Sequence, residues 1–180
     1  MEYLDIVDEN GNPTGKTVER TQAHRDGSRH RTSHVWIVRK REGRIQVLLQ
    51  KRCEQKDSFP GCYDISSAGH IPAGADYVPS AIRELSEELG LSVEPAELID
   101  CGLHDLSARA AFHGAQFVDN QVSRVFLLWK DVEISELTLQ KEELESVMWI
   151  DFEECVDAVK NNRIKNCIDP EELALIKEHF

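Results

Sequence analysis

Residues 69–91 read GHIPAGADYVPSAIRELSEELGL, and the reading of this stretch decides the fold. Pro79 suits a first helical turn and Gly90 the residue just past a helix end. The spacing therefore predicts a helix centred on Arg83-Glu84-Leu85-Ser86-Glu87-Glu88. At about 3.6 residues per turn, Glu84, Glu87 and Glu88 stand at i, i+3 and i+4 on one face. Ile82, Leu85 and Leu89 lie on another face and pack inward. Like charges at i, i+4 cost roughly a few tenths of a kcal/mol on an exposed helix, and a cation removes that cost. Oxygen donors at this density suit Mg²⁺ or Mn²⁺, ions commonly shared with substrate phosphates. The ordinary alternatives are a solvated acidic face, or an ion pair from Arg83 to Glu87 four residues on.

Around this helix the chain alternates strands and helices. Tyr3 to Val7 reads as a strand. The turn chemistry of Asp8-Glu9-Asn10-Gly11-Asn12-Pro13 joins it to Thr14 to Val18 as a hairpin. Glu19 to His24 reads as a short helix broken at Asp26-Gly27. His30 to Lys40 and Ile45 to Arg52 are β-branched and aromatic-rich partner strands. Beyond the helix, Ala96 to Leu106 reads as strand, Ser107 to Gly114 as irregular, and Asp119-Asn120 as a turn. Val122 to Trp129 and Val147 to Ile150 are strands, with an acidic loop over Glu133 to Glu143. Asp151 caps a helix to about Asn161, and Asp169-Pro170-Glu171-Glu172 starts the last one. The class is α/β, a mixed sheet between helices in one domain over 1–180: an N-terminal extension at 1–30, the central loop-helix at 69–91 and C-terminal helices at 151–180.

The chain has 180 residues and a formal net charge of -12, which argues against nucleic acid as a partner. An anionic substrate then needs a local cation, and a bound metal supplies it. The five cysteines, Cys53, Cys62, Cys101, Cys155 and Cys167, are odd in number and irregularly spaced. Reduced, buried thiols are expected, not disulfides or a zinc site. No apolar run reaches the length of a membrane span, and the acidic start MEYLDIVDENG is unlike a signal peptide. A cytoplasmic protein with no membrane partner is expected, and a homodimer is compatible with the sequence.

The opening stretch resembles the Nudix box, Gly-x5-Glu-x7-Arg-Glu-U-x-Glu-Glu-x-Gly-U with U aliphatic. Gly69, Arg83, Glu84, Leu85, Glu87, Glu88, Gly90 and Leu91 match. Ala75 departs from it, standing where the family has its first Glu, with Asp76 beside it as a candidate substitute. The resemblance implies an α/β/α sandwich and hydrolysis of a diphosphate linked to another group, with Mg²⁺ or Mn²⁺ as cofactor. The substrate class is a nucleoside diphosphate derivative or related small pyrophosphate. By the family pattern Glu84, Glu87 and Glu88 are the metal ligands, with the Gly69 carbonyl, and Arg83 orients a helix carboxylate. The base is a box carboxylate or an acid of the distant loop, Glu142, Glu143 or Glu145.

More of the chain carries a narrower resemblance. Asp5-Ile6-Val7-Asp8-Glu9, Ala23-His24, His30-Arg31, Leu49-Gln50-Lys51-Arg52, Lys56, Phe59-Pro60-Gly61 and Ser67-Ala68-Gly69-His70 follow in the order found in isopentenyl-diphosphate isomerases and hydrolases near them. It implies Lys51, Arg52 and Lys56 as the basic residues nearest a diphosphate. It also implies a second metal site for Zn²⁺ or Mn²⁺ at His24, His30, His70 and Asp119, although the His24 to His30 spacing is one residue short of the isomerase pattern. The isomerases carry a catalytic Cys where this chain has Ala68 and a catalytic Glu where it has Gln121. A methyl group and an amide do no acid/base work, so a hydrolase on an isomerase-like frame is expected. The alternatives are an active isomerase and a non-catalytic Nudix module that binds a ligand or partner. Phe112 and Phe117 are candidates for stacking on a base.

Overall fold

The computed structural model describes residues 1–180. Tyr3–Val7 (β1) and Pro13–Glu19 (β2) form the expected hairpin. Its turn closes where the Asp8 carboxylate accepts from the backbone N–H groups of Asn10 and Asn12, 2.9 Å each. A short helix, Arg20–Asp26 (α1), follows and ends at Gly27.

One sheet holds the remaining strands: His30–Arg41 (β3), Arg44–Arg52 (β4), Tyr63–Asp64 (β5), Ser67–His70 (β6), Leu98–Phe112 (β7), Ala115–Trp129 (β8) and Leu144–Asp151 (β9). Its order is β5-β4-β3-β8-β7, with β6 paired to β3 and β9 to β4. The β3–β8 pair is parallel and the others are antiparallel, so the sheet is mixed as expected.

Strand alternation sends successive side chains to opposite faces. Val35 and Ile37 of β3 face the helix Tyr77–Leu89 (α2), packing with Ala81, Leu85 and Leu89. Trp36 and Val38 face the other way, toward Phe152–Lys160 (α3) and Pro170–Lys177 (α4). Each fully buried leucine in these layers is worth about 1.5–3 kcal/mol against exposure. The result is the α/β/α sandwich. Asp76, Asp151 and Asp169 cap α2, α3 and α4 with their side chains. No helix is long and apolar enough to cross a membrane. All five cysteines are free.

The hairpin of β7 and β8 corrects two local expectations. Ser107 to Phe112 is strand, not irregular, and Asp119-Asn120 lies inside β8, not at a turn. The chain reverses at His113-Gly114, so that Phe112 pairs with Ala115 and Ala108 with Asp119. Pairing across the ladder outweighs the weak strand preference of small and Asx residues.

Candidate functional site

Strand β6 divides the polar chemistry of the molecule between its two faces. Toward α2 it presents Ser67 and Gly69. The Ser67 hydroxyl donates to Glu88 Oε2 at 2.6 Å. A Cβ at Gly69 would lie 2.2 Å from Cδ of Glu84, so a side chain there would have to displace the Glu84 carboxylate. Arg83 donates to Glu84 Oε1 at 2.6 Å and to the His70 carbonyl at 3.4 Å. Arg83 thus orients a helix carboxylate, but the carboxylate is its neighbour Glu84, not Glu87.

The three box carboxylates are not equivalent. Glu88 is buried, Glu84 half-buried and Glu87 exposed. At about 100° per residue, i+4 overshoots one turn by about 40° and i+3 falls short by about 60°, so the shared face splits into two inward groups and one outward. Burial pushes Glu84 up to about 7, against Arg83 and with help from Glu87. Burial pushes Glu88 up to about 8, against the Ser67 hydrogen bond and with help from Glu84. The two acids lie close enough for the charge of Glu84 to bear on Glu88, and each resists ionisation.

Asp76 does not stand in for the absent glutamate at position 75. Its carboxylate is spent on the N-cap, accepting from the Tyr77 N–H at 3.0 Å. The nearby carboxylate comes from β1: Asp5 Oδ2 accepts from Gly74 N–H at 2.9 Å and from Arg31 at 3.1 Å. Arg31 also donates to the Ala75 carbonyl at 2.9 Å.

Each basic residue faces an acid, but only Lys56 faces one in the acidic loop; Asp64 lies in β5, and Glu145 lies in β9, not in the loop as expected. Lys51 pairs with Glu145 at 2.9 Å, Arg52 with Asp64 at 3.2 Å, and Lys56 with Glu143. The loop is tied to the end of α2, where Thr138 and Gln140 donate to the carbonyls of Leu89 and Glu88, 3.0 Å each. Gly90 permits this closeness: its φ is +69° and a Cβ would lie 2.8 Å from that of Thr138. Among the loop acids, Glu143 has a charge that bears on Glu88.

The opposite face of β6 presents Ala68 and His70. His70 meets His24 of α1 and His30 of β3, and the three offer ligand atoms within 4.8 Å of one another. His24 Nε2 lies 3.0 Å from His70 Nε2. Asp119 Oδ1 of β8 approaches His30 Nε2 at 3.8 Å and His24 Nδ1 at 3.9 Å. The sequence-proposed quartet is therefore assembled in space. His24 Nδ1, His30 Nε2 and Asp119 Oδ1 are buried without hydrogen-bond partners, an arrangement that costs stability unless something satisfies it. Burial lowers His24 to about 4, lowers His30, and takes His70 well below its usual range. Burial raises Asp119 to about 6. Three neutral imidazoles and one carboxylate make a donor set that suits Zn²⁺ or Mn²⁺. Phe117 stacks on His24 with centroids 4.4 Å apart, and Phe112 and Phe59 pack around it.

Sequence reasoning missed His34, which had no usable partner in the chain order. It lies two strand positions beyond Thr32 and four beyond His30, on the same face as both. Glu172 of α4 holds its Nδ1 at 2.5 Å. The parity of His30, Thr32 and His34 was the available signal.

The chain matches the NUDIX domain family model over residues 28–169. It is 39% identical over 155 residues to Nudix hydrolase 3 of Arabidopsis thaliana, covering 85% of this chain and 20% of that protein. It is 36% identical over 161 residues to a Nudix hydrolase of Clostridium acetobutylicum, covering 89% of this chain and 75% of the relative. A crystal structure of a Deinococcus radiodurans protein superposes with a TM-score of 0.69 at 18% identity, over 96% of this chain and 98% of the other.

Proposed function

The chain belongs to the Nudix family, and on that premise we propose that it is a Mg²⁺- or Mn²⁺-dependent hydrolase of a nucleoside diphosphate derivative or related small pyrophosphate. Hydrolysis of a pyrophosphate linkage is the family's activity; the substrate, the metal and the residue roles are our reading. One observation supports it: Glu84 packs against Gly69 and Glu88 against Ser67 on the same face of β6, with the charge of Glu84 felt at Glu88.

Phosphoryl transfer asks for positioning and for neutralisation of developing charge more than for covalent help. Glu84, Glu88 and the Gly69 carbonyl are the proposed inner metal ligands, with the exposed Glu87 reaching from the solvent side. A bound divalent ion would polarise the phosphate oxygens and activate water. Arg83 fixes the Glu84 carboxylate, and Ser67 fixes that of Glu88. Lys51, Arg52 and Lys56 supply cationic charge for the diphosphate and are preorganised by their acidic partners. Of Glu142, Glu143 and Glu145, the proposed base is Glu143, because its charge is the one felt at Glu88. His24, His30, His70 and Asp119 are proposed as a second, resident metal site.

The isomerase reading lacks support. Ala68 has no titratable group, and Gln121 offers an amide 3.5 Å from His34 Nε2 where acid/base work would be needed. A panel of nucleoside diphosphate derivatives and pyrophosphates with Mg²⁺ tests the hydrolase. Turnover of at least one member is expected, and none across the panel with metal bound would favour a binding module.

A further inference from the structure

The β7–β8 hairpin ends the sheet, and β7 is its outer strand. The hairpin turn fixes which backbone groups of β7 point outward. His113 and Gly114 both sit at positive φ, +51° and +79°, a two-residue turn of the kind that matches strand twist. Such a turn closes with Phe112 and Ala115 as a hydrogen-bonded pair. Bonded and non-bonded pairs alternate along an antiparallel ladder. Ala110, Ala108, Leu106 and His104 therefore bond to β8. Leu103, Asp105, Ser107, Arg109 and Ala111 turn their N–H and C=O groups to the open edge. No backbone bond from outside the ladder reaches residues 103–112. The side chains of the same five residues are exposed, while those of their even-numbered neighbours are partly covered.

A row of unpaired groups this long is a template for another strand, and proteins commonly blunt such an edge with lysine, proline or a bulge. The bulge here, between Asp100 and Gly102, ends before the open stretch begins. No lysine or proline stands between Leu103 and Phe112. Two charges do stand there, Asp105 and Arg109, opposite in sign and placed symmetrically about Ser107. Arg29 of the same chain pairs with Asp105. Arg109 has only the apolar Val118 across from it in β8. Charges of one sign would repel a second copy of the strand. Opposite charges in this placing attract one, because an antiparallel copy centred on Ser107 sets each Asp105 across from an Arg109.

We propose that β7 pairs with β7 of a second copy, antiparallel and centred on Ser107, joining the two sheets in a symmetric dimer. In that register Ser107 meets Ser107, Asp105 meets Arg109, and Leu103, 44% exposed in the single chain, meets Ala111. All five outward residues pair at once, giving about ten backbone hydrogen bonds. The two-fold axis makes the interface isologous, so it closes on two copies and does not propagate. A strand of another protein finds the same backbone edge but must supply the Asp-x3-Arg spacing to match the charges; this chain carries that spacing itself. The dimer is independent of the hydrolase reading, and it braces the hairpin that carries Asp119.

Sedimentation of the full chain tests the dimer, and amide hydrogen exchange locates it. The wild type is expected to reach twice the chain mass below about 1 mM, the weak end of specific association. The amides of Leu103, Asp105, Ser107, Arg109 and Ala111 should exchange at least tenfold more slowly at dimer concentration than in dilute protein. Those of their even-numbered neighbours, bonded to β8 in either state, should be slow in both. Arg109→Asp sets like charges across from each other and should raise the dimer Kd at least tenfold. Ser107→Pro should do the same by removing the central bonds; the N–H it loses faces outward, so the β8 ladder keeps its own. Thermal melts check that both variants fold, and where one does not, exchange in the wild type decides. A wild type that stays monomeric at about 1 mM overturns the proposal and leaves the edge to solvent or to another protein. A dimer that both folded variants retain overturns it too, as does one in which the five amides stay fast.

Discussion

The two faces of β6 hold donor sets of opposite character. On the α2 face, Glu84 and Glu88 are carboxylates whose burial keeps them reluctant to ionise. On the other face, His24, His30 and His70 are imidazoles whose burial keeps them neutral, with Asp119 as the one carboxylate. The same desolvation thus favours the proton on the oxygen site and disfavours it on the nitrogen site. A proton-free imidazole cluster is ready to ligate at neutral pH. Carboxylates held toward the neutral form release protons when a cation binds. On the proposed reading, this difference would suit a resident ion at the histidines and an exchangeable one, delivered with substrate, at the glutamates.

The largest expected effect separates the sites by function. Glu88→Gln should lower kcat by more than about a hundredfold, beyond the range for loss of a group that only hydrogen-bonds a metal ligand, while the metal content of the histidine site stays at the wild-type level by elemental analysis. Full activity in this variant would remove the box from the chemistry. Next, Asp119→Asn should weaken metal retention by about 10- to 100-fold in chelator competition, with the Mg²⁺ dependence of turnover preserved. If both properties fall together, the two sites are one.

The pH response of the metal-free protein sharpens the contrast, because the signs differ. Glu84 and Glu88 rise from an unfolded value of 4.5 to about 7 and about 8, so their contribution is full below 4.5 and is lost as pH rises through that window. His24 falls from 6.5 to about 4, so its contribution is full above 6.5 and is lost as pH falls toward 4. Thermal melts should therefore show Glu88→Gln gaining stability over wild type above about pH 7, and His24→Gln gaining it below about pH 5. A single shared trend would contradict the assignment of burial as the cause. The smallest effect is expected at position 75. Ala75→Glu should change kcat by less than about twofold, the scale of roughly 0.5 kcal/mol, because Asp5 already supplies the carboxylate at Gly74.

Much of this was readable in the chain. The central helix declared itself through its period, Pro79, Gly90 and the spacing of its glutamates, all local features. The histidine quartet was legible only by resemblance, since His24, His30, His70 and Asp119 meet through α1, β3, β6 and β8. The unequal burial of the three glutamates was not legible, because a helical wheel groups i+3 with i+4 while packing against β6 covers Glu84 and Glu88 and leaves Glu87 exposed. The β7–β8 hairpin was misread because Ser107 to Ala111 has little strand preference of its own, and its order comes from the ladder. The His34–Glu172 contact spans 138 residues of sequence and depends on how α4 docks, which no local pattern encodes.

The central claim is that Glu84 and Glu88 hold the ion that drives hydrolysis. Its most direct test is product release from a nucleoside diphosphate panel with Mg²⁺, wild type against Glu88→Gln, both shown folded by thermal melts. The account predicts metal-dependent turnover by the wild type and its loss in the variant. Equal rates in the two proteins would contradict it.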